Sequence, residues 1–136
     1  MSKKVLLVDD YADIRKMTRF MIEIFGYDVI EAVDGYDALQ QAEEHCPDIV
    51  LMDIAMPLVD GITSAKLIHA LDSCRSIPII AITAYGREYM DRSNDFGFDA
   101  VVQKPIEMDH LKNLLKDFIG GPDTHIGGPE NSAVRV

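Results

Sequence analysis

Five polar side chains with catalytic potential stand directly after short apolar runs. Asp9 and Asp10 follow Val5–Val8, Asp53 follows Ile49–Met52, Thr83 follows Ile79–Ile82, and Lys104 follows Val101–Gln103. Three carboxylates brought close together repel, so either one of them takes up a proton or a cation joins them. An all-oxygen set open to water suits a hard ion such as Mg²⁺. Such an ion lets an anionic carboxylate approach a phosphoryl group, attack in line and become an acyl phosphate, while an ammonium neutralises charge on the equatorial oxygens. Lys104 has the charge for that role, and the Thr83 hydroxyl can hydrogen-bond a phosphoryl oxygen.

Each of these residues also has a plain structural explanation. Asp10 or Asp13 can cap a following helix, a Thr after a buried strand is commonly a turn residue, and a Lys before Pro is commonly just solvated. The order Asp-Asp, Asp, Thr, Lys-Pro at four strand ends favours the chemical reading over four separate coincidences. For Pro57, Gly61 and Asp60 the structural reading is preferred: turn residues for the first two, a helix cap for the third.

The elements that must place these residues alternate five times. The expected strands are Lys4–Val8, Tyr27–Glu31, Asp48–Met52, Pro78–Ile82 and Ala100–Gln103; the first, third and fourth are apolar enough to be covered on both faces, and the other two read as edges. The expected helices are Asp13–Phe25, Tyr36–His45, Ile62–Leu71, Arg87–Phe96 and Glu107–Ile119. Ile14, Met17, Met21 and Phe25 in the first, and Met108, Leu111, Leu114, Leu115 and Phe118 in the last, recur at helical steps and are expected to pack on the sheet. The fourth carries only a thin apolar stripe, Tyr89, Met90 and Phe96, and is expected to be mobile. Strict alternation gives an α/β class: a doubly wound, five-stranded parallel sheet with five helices, flavodoxin-like, whose ligands lie beyond the carboxyl ends of the strands.

Composition narrows the function. The 136 residues suit one domain, assigned here to 1–120, and the Gly- and Pro-rich 121–136 reads as a flexible C-terminal tail. Lys and Arg number 13 against 23 Asp and Glu, a net charge of −10 that opposes a phosphate backbone, so no nucleic acid is expected as partner. No apolar stretch approaches the about 20 residues that span a bilayer, and no signal peptide is seen. A cytoplasmic location is expected, with Cys46 and Cys74 as reduced, buried thiols. His45, His69, His110 and His125 lack any evident triad partner.

Val-Asp-Asp at 8–10, Asp53 with Met-Pro at 56–57 and Asp-Gly at 60–61, Ile-Thr-Ala at 82–84 and Lys-Pro at 104–105 resemble the receiver domains of response regulators in two-component signalling, over about residues 3–119. The resemblance implies strand order 2-1-3-4-5. It implies that Asp53 accepts phosphoryl from a phosphohistidine of a sensor histidine kinase or histidine phosphotransfer protein, with Lys104 and Thr83 on the phosphoryl oxygens. It implies Mg²⁺ held by Asp10, Asp53 and the backbone carbonyl of Ala55, with Asp9 acting through water, and a cis Lys104-Pro105 bond. Such a chain is a signalling domain rather than an enzyme, a monomer or weak dimer. Its downstream protein target would be met through the Arg87–Phe96 helix, the Ala100–Gln103 strand and the Glu107–Ile119 helix, towards which movement of Thr83 would bias the fold. Tyr85, Tyr89 and Met90 lie on the segment so moved and are open to packing or partner contact alike.

Several positions depart from the family pattern. Val101 replaces the Tyr or Phe that turns inward with the Thr, and Ile106 replaces a common Phe. Ala55 and Tyr85 occupy the positions that tune dephosphorylation; Ala55 does not orient water and Tyr85 can shield it, so a long-lived phosphoryl group is expected. Three rivals fare worse. A haloacid-dehalogenase-type phosphatase needs a second Asp where Ala55 stands, a degenerate receiver would not keep all five polar residues, and a nucleotide carrier would show GxGxxG after the first strand.

Overall fold

Runs of four or five residues rich in Val and Ile favour extended backbone, where branched side chains pack well on a pleated surface. A computed structural model describes residues 2–53, 58–84 and 97–122, with 58–60 by their backbone alone, and in it five such runs form strands. They are β1 (Lys4–Val8), β2 (Asp28–Ala32), β3 (Ile49–Asp53), β4 (Ile79–Thr83) and β5 (Ala100–Gln103). All pairings are parallel, in the order β2-β1-β3-β4-β5. The helices are α1 (Ala12–Ile24), α2 (Gly35–His45), α3 (Leu58–Ala70) and α4 (Met108–Ile119), with a 3₁₀ turn at Asp72–Cys74. The expected Arg87–Phe96 helix lies outside the described residues, as does the expected tail beyond Pro122.

Alternate residues of each strand feed two apolar layers. Leu6, Val8, Val50, Met52, Ile79 and Ala81 face Ala38, Ala42, Ala65 and Ile68 of α2 and α3. Val5, Leu7, Ile49, Leu51, Ile80 and Ile82 face Ile22 of α1 and Leu111, Leu114 and Leu115 of α4. Burying each large aliphatic side chain contributes roughly 1.5–3 kcal/mol, so these layers hold the sheet rigid under the strand ends.

Local signals set the helix ends. Asp34 caps α2 by accepting the amide of Asp37 at 2.8 Å, while the Asp37 carboxylate accepts the amide of Val33 at 3.0 Å. Gly120, at φ 80°, ends α4 in a backbone conformation that L side chains rarely adopt.

Four expectations are corrected. In α1, Ile14 and Met17 are exposed, and the buried side chains are Arg15 and Ile22: the inward stripe runs one residue later than the most apolar one. In α4, Leu111, Leu114 and Leu115 are buried, but Met108 and Phe118 lie at the margin and are exposed. Cys74 is buried, whereas Cys46 is exposed because it ends α2 in the left-handed region, at φ 48°. Asp60, expected as a helix cap, falls inside α3, which begins two residues before it; at α1 the cap position is held by Tyr11.

Candidate functional site

Parallel register brings the polar strand ends to one edge. Val8 pairs with Met52, which sets the next residues, Asp9 and Asp53, level on neighbouring strands. Asp53 pairs with Ile82 and Thr83 with Gln103, and the Lys104 amide donates to the Thr83 carbonyl at 2.8 Å. The Lys104-Pro105 bond is cis, as expected. Asp9 and Thr83 are buried, and Asp10 is exposed.

Asp53 is the centre of this edge. Its side chain is only 5% exposed, and Oδ2 accepts a hydrogen bond from Lys104 Nζ at 2.5 Å. Oδ1 is buried with no hydrogen-bond partner among the described residues. Burial raises the carboxyl, Lys104 draws it down and the neighbouring Asp9 carboxylate raises it, which together bring it to about 6. A buried carboxylate oxygen without a donor is costly unless a proton or cation meets it. The atom that lacks a partner is therefore an oxygen of the kind a hard cation takes, in a set of oxygen donors. On that ground the residues fit Mg²⁺.

The structure thus brings together Asp9, Asp53 and Lys104, with Thr83 one strand away. Asp10 points its side chain to water, and among the described residues no three His, Cys, Asp or Glu side chains converge at metal-ligating spacing. Like charge accounts for this: with Lys104 the one ammonium at Asp53 among the described residues, a third carboxylate gains nothing by facing the other two. Ala55 and Tyr85 lie outside the described residues.

Sequence reading missed Arg15 and Glu31. Arg15 Nη1 donates to the backbone carbonyl of Asp9 at 2.8 Å and its Nε to Glu31 Oε1 at 2.6 Å. Arg19 Nη1 donates to Glu31 Oε2 at 2.5 Å and its Nε to Glu23 at 3.0 Å. The signal was the stripe Arg15, Thr18 and Ile22, which has the same helical step as Ile14, Met17 and Met21, offset by one residue.

Comparison with known proteins agrees with this architecture. The family profile described as the response regulator receiver domain matches residues 5–116. The polar-differentiation response regulator DivK of Brucella anthropi is 36% identical over 121 residues, which are 88% of this chain and 98% of that protein. Among solved structures, the receiver domain of the sensor histidine kinase PA1611 of Pseudomonas aeruginosa, described with a magnesium ion coordinated in its active-site cleft, is 30% identical. Its TM-score is 0.79, with 89% of this chain and all of that chain covered. The chemotaxis protein CheY4 of Vibrio cholerae is 28% identical with a TM-score of 0.80, over 88% of this chain and all of that one.

Proposed function

The chain belongs to the response regulator receiver family, and from that premise we propose that it accepts a phosphoryl group on Asp53 from a phosphohistidine and signals through protein contact. The observation that carries this reading is the asymmetry of Asp53: one oxygen held by Lys104, the other buried and without a hydrogen-bond partner among the described residues. Asp10, Asp53, the Ala55 carbonyl and, through water, Asp9 would hold Mg²⁺. Bound there, the ion supplies positive charge for the phosphoryl oxygens.

The chain's own residues do the rest. Asp53 presents a carboxylate oxygen to phosphorus; an oxygen–phosphorus bond forms as the bond to the donor imidazole nitrogen breaks, and the imidazole leaves carrying its electron pair. Lys104 follows the charge from Asp53 to the phosphoryl oxygens, and the Thr83 hydroxyl donates to one of them. Ala55 and Tyr85 would make the acyl phosphate long-lived, which slow decay and its change in Ala55→Asn would test.

One described surface supports a protein partner. Tyr11, Ile14, Met17, Phe20 and Ile24 form an exposed apolar ridge along α1 that starts beside Asp9 and Asp10. Such a ridge is a landing face for the sensor histidine kinase or phosphotransfer protein that brings the phosphohistidine. The downstream target would be met through the Arg87–Phe96 segment, β5 and α4. The receiver would occupy 1–120 with 121–136 as a tail, acting in the cytoplasm as a monomer or weak dimer. No helix among the described residues is long and apolar enough to cross a membrane.

The test is intact-mass analysis with a small acyl phosphate and Mg²⁺. The wild type is expected to gain one phosphoryl group, lost with chelator and in Asp53→Ala. Equal labelling of Asp53→Ala would overturn the assignment. Phe20→Asp is expected to slow transfer from a protein donor while leaving labelling by the small donor unchanged.

A further inference from the structure

Arg15 is the only Arg or Lys among the described residues classed as buried, and it spends its donors on two groups far apart in sequence. One is the carbonyl of Asp9, the peptide group that joins Asp9 to Asp10. The other is Glu31, whose register partner on β1 is Leu7. Strand alternation puts Glu31 on the same face as Val29, which packs in the α1 layer, so the carboxylate meets the helix where Arg15 comes down.

Asp9 is consequently held at three points. Its amide donates to the Ala32 carbonyl at 3.1 Å, its Oδ1 accepts the Tyr11 amide at 2.9 Å, and its carbonyl accepts Arg15 Nη1 at 2.8 Å. The first two fix where Asp9 sits; the third fixes the plane of the peptide from which Asp10 departs. A planar guanidinium bound through both Nε and Nη1 cannot turn without losing a hydrogen bond. Arg19 on the second oxygen of Glu31 keeps that carboxylate aimed. Arg19 and then Arg15 hold Glu31 below the usual carboxylate range, against burial, so the clamp stays ionised at neutral pH.

We propose that Arg15, clamped by Glu31, is a positioning residue that sets how tightly the Asp9, Asp10 and Asp53 carboxylates take up a divalent cation. This rests on the metal-assisted reading of the site given above. Arg15 touches neither ion nor phosphoryl group; it acts by orienting the residues that do. Outer partners of metal ligands commonly change affinity by about 10–100-fold when removed. Glu31 has a second role here. It occupies the guanidinium that would otherwise be free to pair with the Asp9 or Asp10 carboxylate in competition with the ion.

The experiment uses the full 136-residue chain as wild type, Arg15→Met, Arg15→Lys and Glu31→Gln. Mg²⁺ affinity is measured by calorimetric titration, thermal stability in chelator, and labelling rate with a small acyl phosphate across Mg²⁺ concentration. Arg15→Met is expected to weaken Mg²⁺ at least about tenfold, in the range above, yet to label at close to the wild-type rate once Mg²⁺ saturates. Arg15→Lys, which keeps a donor for the Asp9 carbonyl but not the fork, should recover part of the affinity, and Glu31→Gln should weaken it. A purely structural role would lower the chelator-state melting point without this split between affinity and saturated rate. Mg²⁺ affinity unchanged in folded Arg15→Met overturns the proposal. Should that variant not fold, unchanged affinity in both Arg15→Lys and Glu31→Gln does the same. Wild type that takes up neither Mg²⁺ nor phosphoryl overturns the proposed function itself, a different result from normal wild type beside unaffected variants.

Discussion

At the amino-end edge of the sheet, Asp48 accepts the amide of Lys4 and Asp99 that of Ile79, each at 2.7 Å. At the carboxyl-end edge Asp53 is buried, shares one oxygen with Lys104 and leaves the other without a partner among the described residues. The same residue type therefore does opposite work at the two ends. Asp48 and Asp99 meet backbone donors that strand ends would otherwise leave unsatisfied. Asp53 carries a standing cost in electrostatic free energy, of the kind a proton or a cation relieves.

The largest expected effect removes that cost. The Asp53 carboxyl stands at about 6 when folded, against 3.8 for an ordinary aspartate. Between about pH 4 and 6 the native state therefore holds a proton that the unfolded chain has released, and stability falls as pH rises through that window. Asp53→Asn, which cannot ionise, should be more stable than wild type in chelator at pH 7 by up to about 3 kcal/mol, because each tenfold difference in proton affinity between the folded and unfolded chain is worth about 1.4 kcal/mol. The gain should vanish near pH 4. Urea melts at both pH values check this, and a destabilised variant at pH 7 would break the contrast.

Asp99→Ala should do the reverse, costing about 1–2 kcal/mol at pH 7, because it leaves the Ile79 amide without its acceptor. Its Mg²⁺ affinity should not change. Mg²⁺ itself should raise wild-type stability by about 1.4 kcal/mol at ten times its Kd, and Asp53→Asn should lose most of that gain; thermal melts against Mg²⁺ concentration measure both. The smallest effect is Tyr27→Phe, which removes the hydrogen bond from its hydroxyl to the Gly120 carbonyl at 2.9 Å. About 1 kcal/mol should be lost, with labelling at Asp53 untouched.

The carboxyl-end half of this contrast was legible in the sequence; the amino-end half, where Asp48 and Asp99 meet strand amides, was not, and neither were several helix faces. Strand limits fell within a residue of those observed because apolar runs end where a polar side chain must leave the core. That rule also places Asp9, Asp53, Thr83 and Lys104 on one edge. The facing of α1 was not legible, because the helix carries two adjacent stripes of equal period. The more apolar one, Ile14, Met17 and Met21, is largely not the one the sheet receives. The strand-end carbonyl of Asp9 and the carboxylate of Glu31 make an arginine the better inward residue, and Glu31 lies on the next strand, 16 residues away. The exposure of Cys46 depends likewise on a left-handed backbone at the end of α2 that its own identity does not announce.

The Lys3 ammonium donates to the Ile119 carbonyl, Tyr27 to that of Gly120, and Pro122 rests against Gly26, where an added Cβ would come within 2.9 Å of it. These contacts staple both extremities of the folded body at the side away from Asp53. A fluorescent reporter or affinity handle joined after Pro122 would start from the far side of the molecule, leaving the carboxyl-end edge of the sheet clear.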